Sequence, residues 1–453
     1  MAALPPSTAW TEHDRRSEAL AGAMREGGGR VSLAKDTSNL FRDRDPEGAR
    51  RRLDVRALDR VLEVDPASGR VQAEGMATYE ALVDACLARG VMPAVVPQLK
   101  TITLGGAVAG VGIEASSHRH GLVHETVDEI EVLTADGRLL ACTATNDFAD
   151  LFFGFPNSYG TLGYALRVAA RTVPVKPYVR LEHQAFTDAG EYFAALERHC
   201  AADDADFIDG TAFAPDRLFL TLGRFADKAP YTSDYTYERI YYRSIAERHE
   251  DWLATRDFLW RWDTDWFWCS KNLFAQNPIA RRLYGRSRLG SRTYAKLMRW
   301  NSRAGLTTKL DRLRGLHGES VIQDVDIPLE RAAEFLAFLA REIGIWPVWI
   351  CPVSPQANAG RFALYPMGPR RYVNFGFWDT VRTRQAHEAG HFNRRIEREV
   401  DDLGGIKSLY SESFFPREDF DLRYGGEAYK ALKAKYDPAG AFPSLYEKCV
   451  LRR

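Results

Sequence analysis

Cysteine is scarce and scattered in this chain. Its six residues, Cys86, Cys142, Cys200, Cys269, Cys351 and Cys449, include no C-x-x-C pair. Neither a zinc site nor a disulfide framework is expected, and a reducing, cytoplasmic setting fits best. An excess of either charge is missing too, since 61 Lys and Arg balance 61 Asp and Glu. Nothing global therefore points to nucleic acid. No apolar run reaches bilayer-spanning length, because the longest, near Phe335–Val353, is interrupted by Arg341, Glu342 and Pro347. The opening MAALPPSTAWTEHDRRSEAL has no apolar run after a basic start, so no secretory leader is expected. What remains is a globular composition, 45% hydrophobic and 27% charged, spread over 453 residues. That is too long for one ordinary core and predicts two or three domains.

The most informative stretch is TITLGGAVAGVGIEASSHRHGL, residues 101–122. Gly105, Gly106, Gly110 and Gly112 leave the backbone almost bare, and Ser116, Ser117, His118 and His120 follow as donors. Such a backbone can approach a ligand closely and aim its N–H groups at phosphate oxygens. The spacing is neither G-x-G-x-x-G nor G-x-x-x-x-G-K-[ST], which excludes the Rossmann fingerprint and the P-loop. Two readings stay open: a phosphate-cradling loop of unspecified kind, or a tight structural turn.

Around it, residues 14–178 read as an α+β unit behind a short extension, 1–13. Hairpins are expected for Arg60–Val64 with Arg70–Glu74, and for Glu129–Thr134 with Arg138–Thr143 across Asp136-Gly137. Thr78–Gly90 predicts an amphipathic helix with Tyr79, Leu82, Val83 and Cys86 on one face. A second region starts after Pro174 and Pro177 and runs to about Val400. Its expected strands are Phe207–Phe213, Leu218–Gly223, Ser320–Ile327, Val348–Val353, Phe362–Pro366 and Tyr372–Phe377, with a helix over Leu329–Ile343. The remainder, 401–453, closes with a helix stopped at Asp437-Pro438.

Several segments together resemble FAD-linked oxidoreductases of the vanillyl-alcohol-oxidase type, which carry a PCMH-type FAD-binding domain, and among them the Δ24-sterol reductase group. They are the 101–122 stretch, VLTADGRLLACT, DLFFGFPNSYGTLGYALRVAARTVPVKPYVRL, VIQDVDIPLE, IWPVWICPV and DPAGAFPSLYEK. They sample nearly the whole chain in order. KDTSNLFR and VVPQLKTITLGG resemble more closely the bacterial branch that reduces 10-methylene fatty-acyl chains after a lipid methyltransferase has made them. The resemblance implies an FAD-binding domain of two α+β subdomains over 14–178, an α+β substrate cap over 179–400, and a C-terminal segment, 401–453, returning to the flavin. It also implies that Lys35, Asp36, Thr37, Ser38 and Asn39 form a first pyrophosphate loop. Thr103, Leu104, Gly105, Gly106, Gly110, Gly112 and Ile113, with Ser116, Ser117 and His118, would be the main FAD segment, and Gly160, Thr161 and Gly163 a third contact. The first loop has no histidine, so the implied FAD is non-covalent. NADPH is the implied electron donor.

Three further groups are weighed as sites. His118, His120 and His124 suggest a metal, but in an extended piece the first two point to opposite faces, and only Glu125 stands beside them. Flavin or substrate contact, or a plain surface role, is expected instead, with no metal. In KSLYSESFF, Tyr410 and Glu412 share one side of an expected strand and, with His118 as the alternative, are the candidate proton donors; Lys407 would contact the ring's anionic edge. An ordinary half-buried strand is the other reading. Finally, Trp252, Phe258, Trp260, Trp262, Trp266, Phe267 and Trp268 precede Arg281, Arg282, Arg286, Arg288, Arg292, Lys296, Arg299, Arg303, Lys309, Arg312 and Arg314, opposed only by Asp311. Aromatics beside a basic run suit peripheral contact with an anionic membrane, here the inner face, within segment 252–314. A solvated face over a packed core is the alternative. The resulting expectation is an FAD- and NADPH-dependent reductase of an isolated C=C bond in a lipid. Its alternatives are an alcohol or sugar oxidase and a non-catalytic partner of a lipid methyltransferase.

Overall fold

Alternating apolar residues build a first antiparallel sheet. The computed structural model describes residues 8–35 and 50–453. Five strands run in the spatial order Val61–Asp65, Arg70–Glu74, Tyr164–Pro174, Val127–Leu133 and Leu139–Thr143, and Val91–Pro93 pairs alongside Tyr164–Pro174. Both expected hairpins form, the second turning at Gly137 with φ +78°, a conformation natural to glycine. Thr78 caps the helix Tyr79–Leu87 by accepting from the Ala81 N–H at 3.3 Å. That helix buries Tyr79, Leu82, Val83 and Cys86 against the sheet, the face its spacing predicts. A smaller unit beside it pairs Val31–Ala34 in parallel with Arg51–Asp54, and the helix Thr8–Glu26 lies against both.

A second sheet holds eight strands, all antiparallel to their neighbours. Their order is Glu250–Ala254, Tyr178–Phe186, Arg217–Ala226, Phe207–Ala214, Val348–Val353, Tyr372–Thr383, His317–Pro328 and Ile406–Lys407. Helices Ala189–Ala202, Ala332–Phe338 and His391–Asp402 cover one face around Leu220, Val325, Phe335, Phe375 and Ile396. The chain passes from one sheet to the other between Pro174 and Tyr178. It then returns: the helix Gly426–Tyr436 packs Leu432 onto Gly154, and the Val31 N–H donates to the Ala441 carbonyl at 2.8 Å. The class is α+β.

Four local expectations change. Phe362–Pro366 is irregular rather than a strand, held by the Phe362 ring against His124 and by Asn157 Nδ2 donating to the Leu364 carbonyl at 2.6 Å. The helix over Leu329–Ile343 opens with a tight 3₁₀ turn and closes with a wide π turn. The strand in the Lys407–Phe415 segment ends at Lys407, leaving only a single bridge at Ser411, so regular strand alternation does not govern Tyr410 and Glu412. Ser117–His120 is a helical turn, so His118 and His120 are not on opposite faces of an extended piece.

The rings of 258–268 are interior. Trp260, Trp262, Trp266, Phe267 and Trp268 are all 4% exposed or less. They stack within the protein, Trp262 on Phe267 and Phe267 on Trp378 at centroid distances of 4.8 and 4.3 Å. Burying such rings contributes roughly 2 kcal/mol each or more. They are core, and they are not the surface that could meet a membrane.

Candidate functional site

The two sheets enclose a cavity of about 1830 Å³ between them. Its floor is the glycine-rich stretch, which is a short helix, Leu104–Gly110, rather than a loop. Thr103 starts it by accepting from the Gly106 N–H at 3.3 Å. A Cβ on Gly105 would stand 2.8 Å from the Gly75 carbonyl oxygen, and one on Gly75 only 1.9 Å from that of Ala165. These two glycines let the helix lie directly on the strand Tyr164–Pro174. The expected tight turn is therefore a helix, and its bare backbone lines the cavity at Gly105, Gly106 and Gly110, with Gly112 just beyond it.

The expected site residues divide into three groups. Lys35, Thr103, Gly105, Gly106, Gly110, Gly112, Ile113, Gly160, Gly163, Tyr410 and Glu412 line the cavity together. Asp36, Thr37, Ser38 and Asn39 lie outside the described residues. The rest sit behind the wall, each engaged by protein. Leu104 is core, and Ser116 donates to the Ala94 carbonyl at 2.8 Å. Ser117 Oγ accepts from the Glu114 N–H, and Thr161 donates to the Ser158 carbonyl. His118 places Nδ1 2.9 Å from the Ala115 carbonyl and Nε2 3.1 Å from that of Ala205, and burial lowers its pKa. His124 is buried and pushed down to about 3. No group of three metal-ligating side chains converges among the described residues.

Lys407 is also drawn away from the cavity. Its ammonium is buried, donating to Glu397 Oε1 and to Ser413 Oγ at 2.9 Å each and to the Glu412 carbonyl. It ties the C-terminal return to the helix His391–Asp402. Contact with a ring edge is replaced by this knot, because a buried ammonium must be paired.

The opposite wall comes from the second sheet by two-residue alternation. Ser320, Ile322 and Asp324 of one strand, and Trp378, Thr380 and Arg382 of its neighbour, face the cavity. Trp378 Nε1 donates to Tyr410 Oη at 2.8 Å, and Tyr410 shares a further hydrogen bond with Asp324. Burial raises the Asp324 pKa to about 7 against the opposing bond from Tyr410, and raises Tyr410 well above the usual phenol. Asp324 Oδ1 is buried without a hydrogen-bond partner. Glu412 is engaged elsewhere, its Oε1 lying 2.9 Å from Arg452 Nη1. Asp324 and Trp378 escaped the sequence reading; the only signal was a carboxylate set at an alternate position of the apolar strand VIQDVDIP.

The cavity suits a dinucleotide-sized ligand. Its lining combines bare helix backbone, Thr103 and the cations Lys35, Lys448 and Arg453 with the rings of Trp266, Phe267, Trp349 and Trp378. Its volume exceeds the roughly 300–1,000 Å³ of a single-ligand pocket, which leaves room for a second reactant. The fold is α+β, and residues 25–143 match the FAD binding domain family model. Beyond that domain the chain is similar to Delta(24)-sterol reductases. It is 28% identical to that of Homo sapiens over 404 residues, covering 86% of this chain and 75% of that protein. It is 24% identical to that of Arabidopsis thaliana over 432 residues, 87% and 76% respectively. A shorter similarity, 28% over 152 residues and 33% of each chain, is to decaprenylphosphoryl-beta-D-ribose oxidase of Mycolicibacterium smegmatis.

Proposed function

We propose that the protein is an FAD-dependent reductase of an isolated carbon–carbon double bond in a lipid, drawing its electrons from NADPH. The observation that carries this is the neutral Tyr410, set between Trp378 and Asp324 on the wall of the cavity that the glycine-rich helix floors. The substrate is a methylene-branched fatty-acyl chain, becoming methyl-branched, or a sterol side chain. The sterol reductases to which the chain is similar support the bond type. The resemblance of KDTSNLFR and VVPQLKTITLGG supports the acyl chain and a lipid methyltransferase acting before it.

An isolated double bond has no carbonyl to take up negative charge, so the feasible order begins with a proton. Protonation of the less substituted carbon leaves a tertiary cation. Bound FAD supplies the hydride chemistry that completes the reduction. Lys35, Thr103, Gly106, Gly110, Gly112 and Gly160 would hold it. Tyr410 gives up its phenolic proton at Oη and recovers one from Asp324, so that the charge left behind rests on the carboxylate rather than on the costlier phenolate. Trp378 holds the phenol in place. Trp266, Phe267 and Trp349 exclude the water that would capture the cation, and their ring faces favour positive charge. In this scheme Glu412, paired with Arg452, takes no part in the proton transfer.

Anaerobic mixing tests the reading. NADPH should bleach the yellow protein, and a sterol or methylene lipid should restore the colour while gaining two hydrogens. Bleaching by an alcohol with fast reoxidation in air would instead make it an oxidase.

A further inference from the structure

Five of the eight exposed large apolar side chains among the described residues fall within one short segment: Phe274, Ile279, Leu283, Trp300 and Leu313. They are 78%, 74%, 78%, 60% and 84% exposed. So many exposed apolar side chains on neighbouring helices of one segment call for an explanation. The same segment is the most cationic of the chain, with eleven Lys and Arg against Asp311 alone over 278–314, in a protein of zero net charge. Arg281 is not part of that surface, being buried on Asp265 at 2.7 Å. Arg282, Arg288, Lys296, Lys309 and Arg314 are exposed. The cavity reaches the surface here, because Phe274 and Trp300 belong to its lining and are themselves exposed.

We propose that the helices Pro278–Tyr284, Ser291–Ala304 and Leu306–Leu313 form a membrane-docking face that seats the protein on an anionic phospholipid bilayer with the cavity mouth against it. The argument for a bilayer is the pairing of chemistries. Isolated apolar tips among cations suit insertion between acidic headgroups, whereas a protein partner would demand a contiguous apolar core. The face lies at the mouth, so a lipid passes from the acyl region to Tyr410 without crossing water. That last step rests on the lipid-substrate reading; the docking itself does not.

Flotation of the full-length, FAD-loaded protein with vesicles tests it. Wild type should float with phosphatidylglycerol-rich vesicles, less with phosphatidylcholine alone, and less again at high salt. The triple variant Ile279→Ser, Leu283→Ser, Leu313→Ser, none of which lines the cavity, should bind about ten-fold more weakly. It should keep its yellow colour and its turnover on detergent-dispersed lipid. Arg282→Glu with Lys296→Glu should abolish the preference for phosphatidylglycerol. Equal flotation of wild type and the triple variant, or no flotation of wild type, overturns the proposal. So does a stable dimer that the triple variant dissociates, since a second copy would then cover the face. Flotation without any lipid turnover would leave docking standing and remove the reductase reading.

Discussion

Tyr410 and Asp324 carry opposite burdens at one hydrogen bond. A phenol raised far above its usual pKa is a weak acid alone, and Asp324, near 7, is a strong enough one to reload it. Tyr410→Phe should lower lipid reduction about 10²- to 10³-fold with little effect on bleaching by NADPH, a difference that stopped-flow absorbance resolves. Asp324 must be protonated to act, so turnover should fall as pH rises through about 7. In Asp324→Asn turnover should be low and that fall absent. A profile still falling near 7 in the variant would assign the proton to another group. Glu412→Gln should shift neither arm of the profile.

At the scale of elements, two buried charge clusters fasten the architecture. His13, 1% exposed, sits 3.1 Å from Glu74 and 3.2 Å from Glu131, pinning the helix Thr8–Glu26 to the first sheet. Burial opposes its charge, but the two carboxylates outweigh it and raise the pKa to about 9. The stability it contributes is complete below about 6.5 and is lost as pH climbs through 9. His13→Gln should cost about 3 kcal/mol at pH 6 and flatten the wild-type loss of melting temperature between neutral and alkaline pH. Arg261 forms the second cluster, bonded to Glu114 of the FAD half at 2.9 Å and to Asp209 of the cap at 2.7 Å. Arg261→Leu leaves both carboxylates buried without it and should destabilise by about 3–5 kcal/mol in urea unfolding. Neither cluster was visible in the sequence, for their members lie 147 and 52 residues apart at Arg261 and 61 and 118 apart at His13. Local pattern did show the hairpins, the Tyr79–Leu87 helix and most cap strands, because alternation and turn chemistry act over a few neighbours. Phe362–Pro366 misled for the same reason: its apolar residues serve side-chain packing on His124 and Phe153, not a ladder. The glycine-rich stretch, read as a bare-backbone loop or a tight turn, is a capped helix that lines the cavity.

Over the whole molecule, the cavity belongs to neither half alone. Its floor is glycine backbone from the first sheet's side, its far wall is the alternate face of the cap sheet, and Tyr410 arrives from the returning C-terminal segment. The sequence marked the two halves by their punctuation at Pro174 and Pro177, but the meeting of Asp324, Trp378 and Tyr410 depends on how the sheets are stacked.

That return has a bearing on biosynthesis. The strand beginning at Val31 is held by the backbone of Ala441, so the earliest-made sheet edge stays unclosed until the ribosome has released a stretch made some four hundred residues afterwards. We expect coenzyme loading to wait for that closure, so nascent chains stalled upstream of Ala441 should emerge colourless.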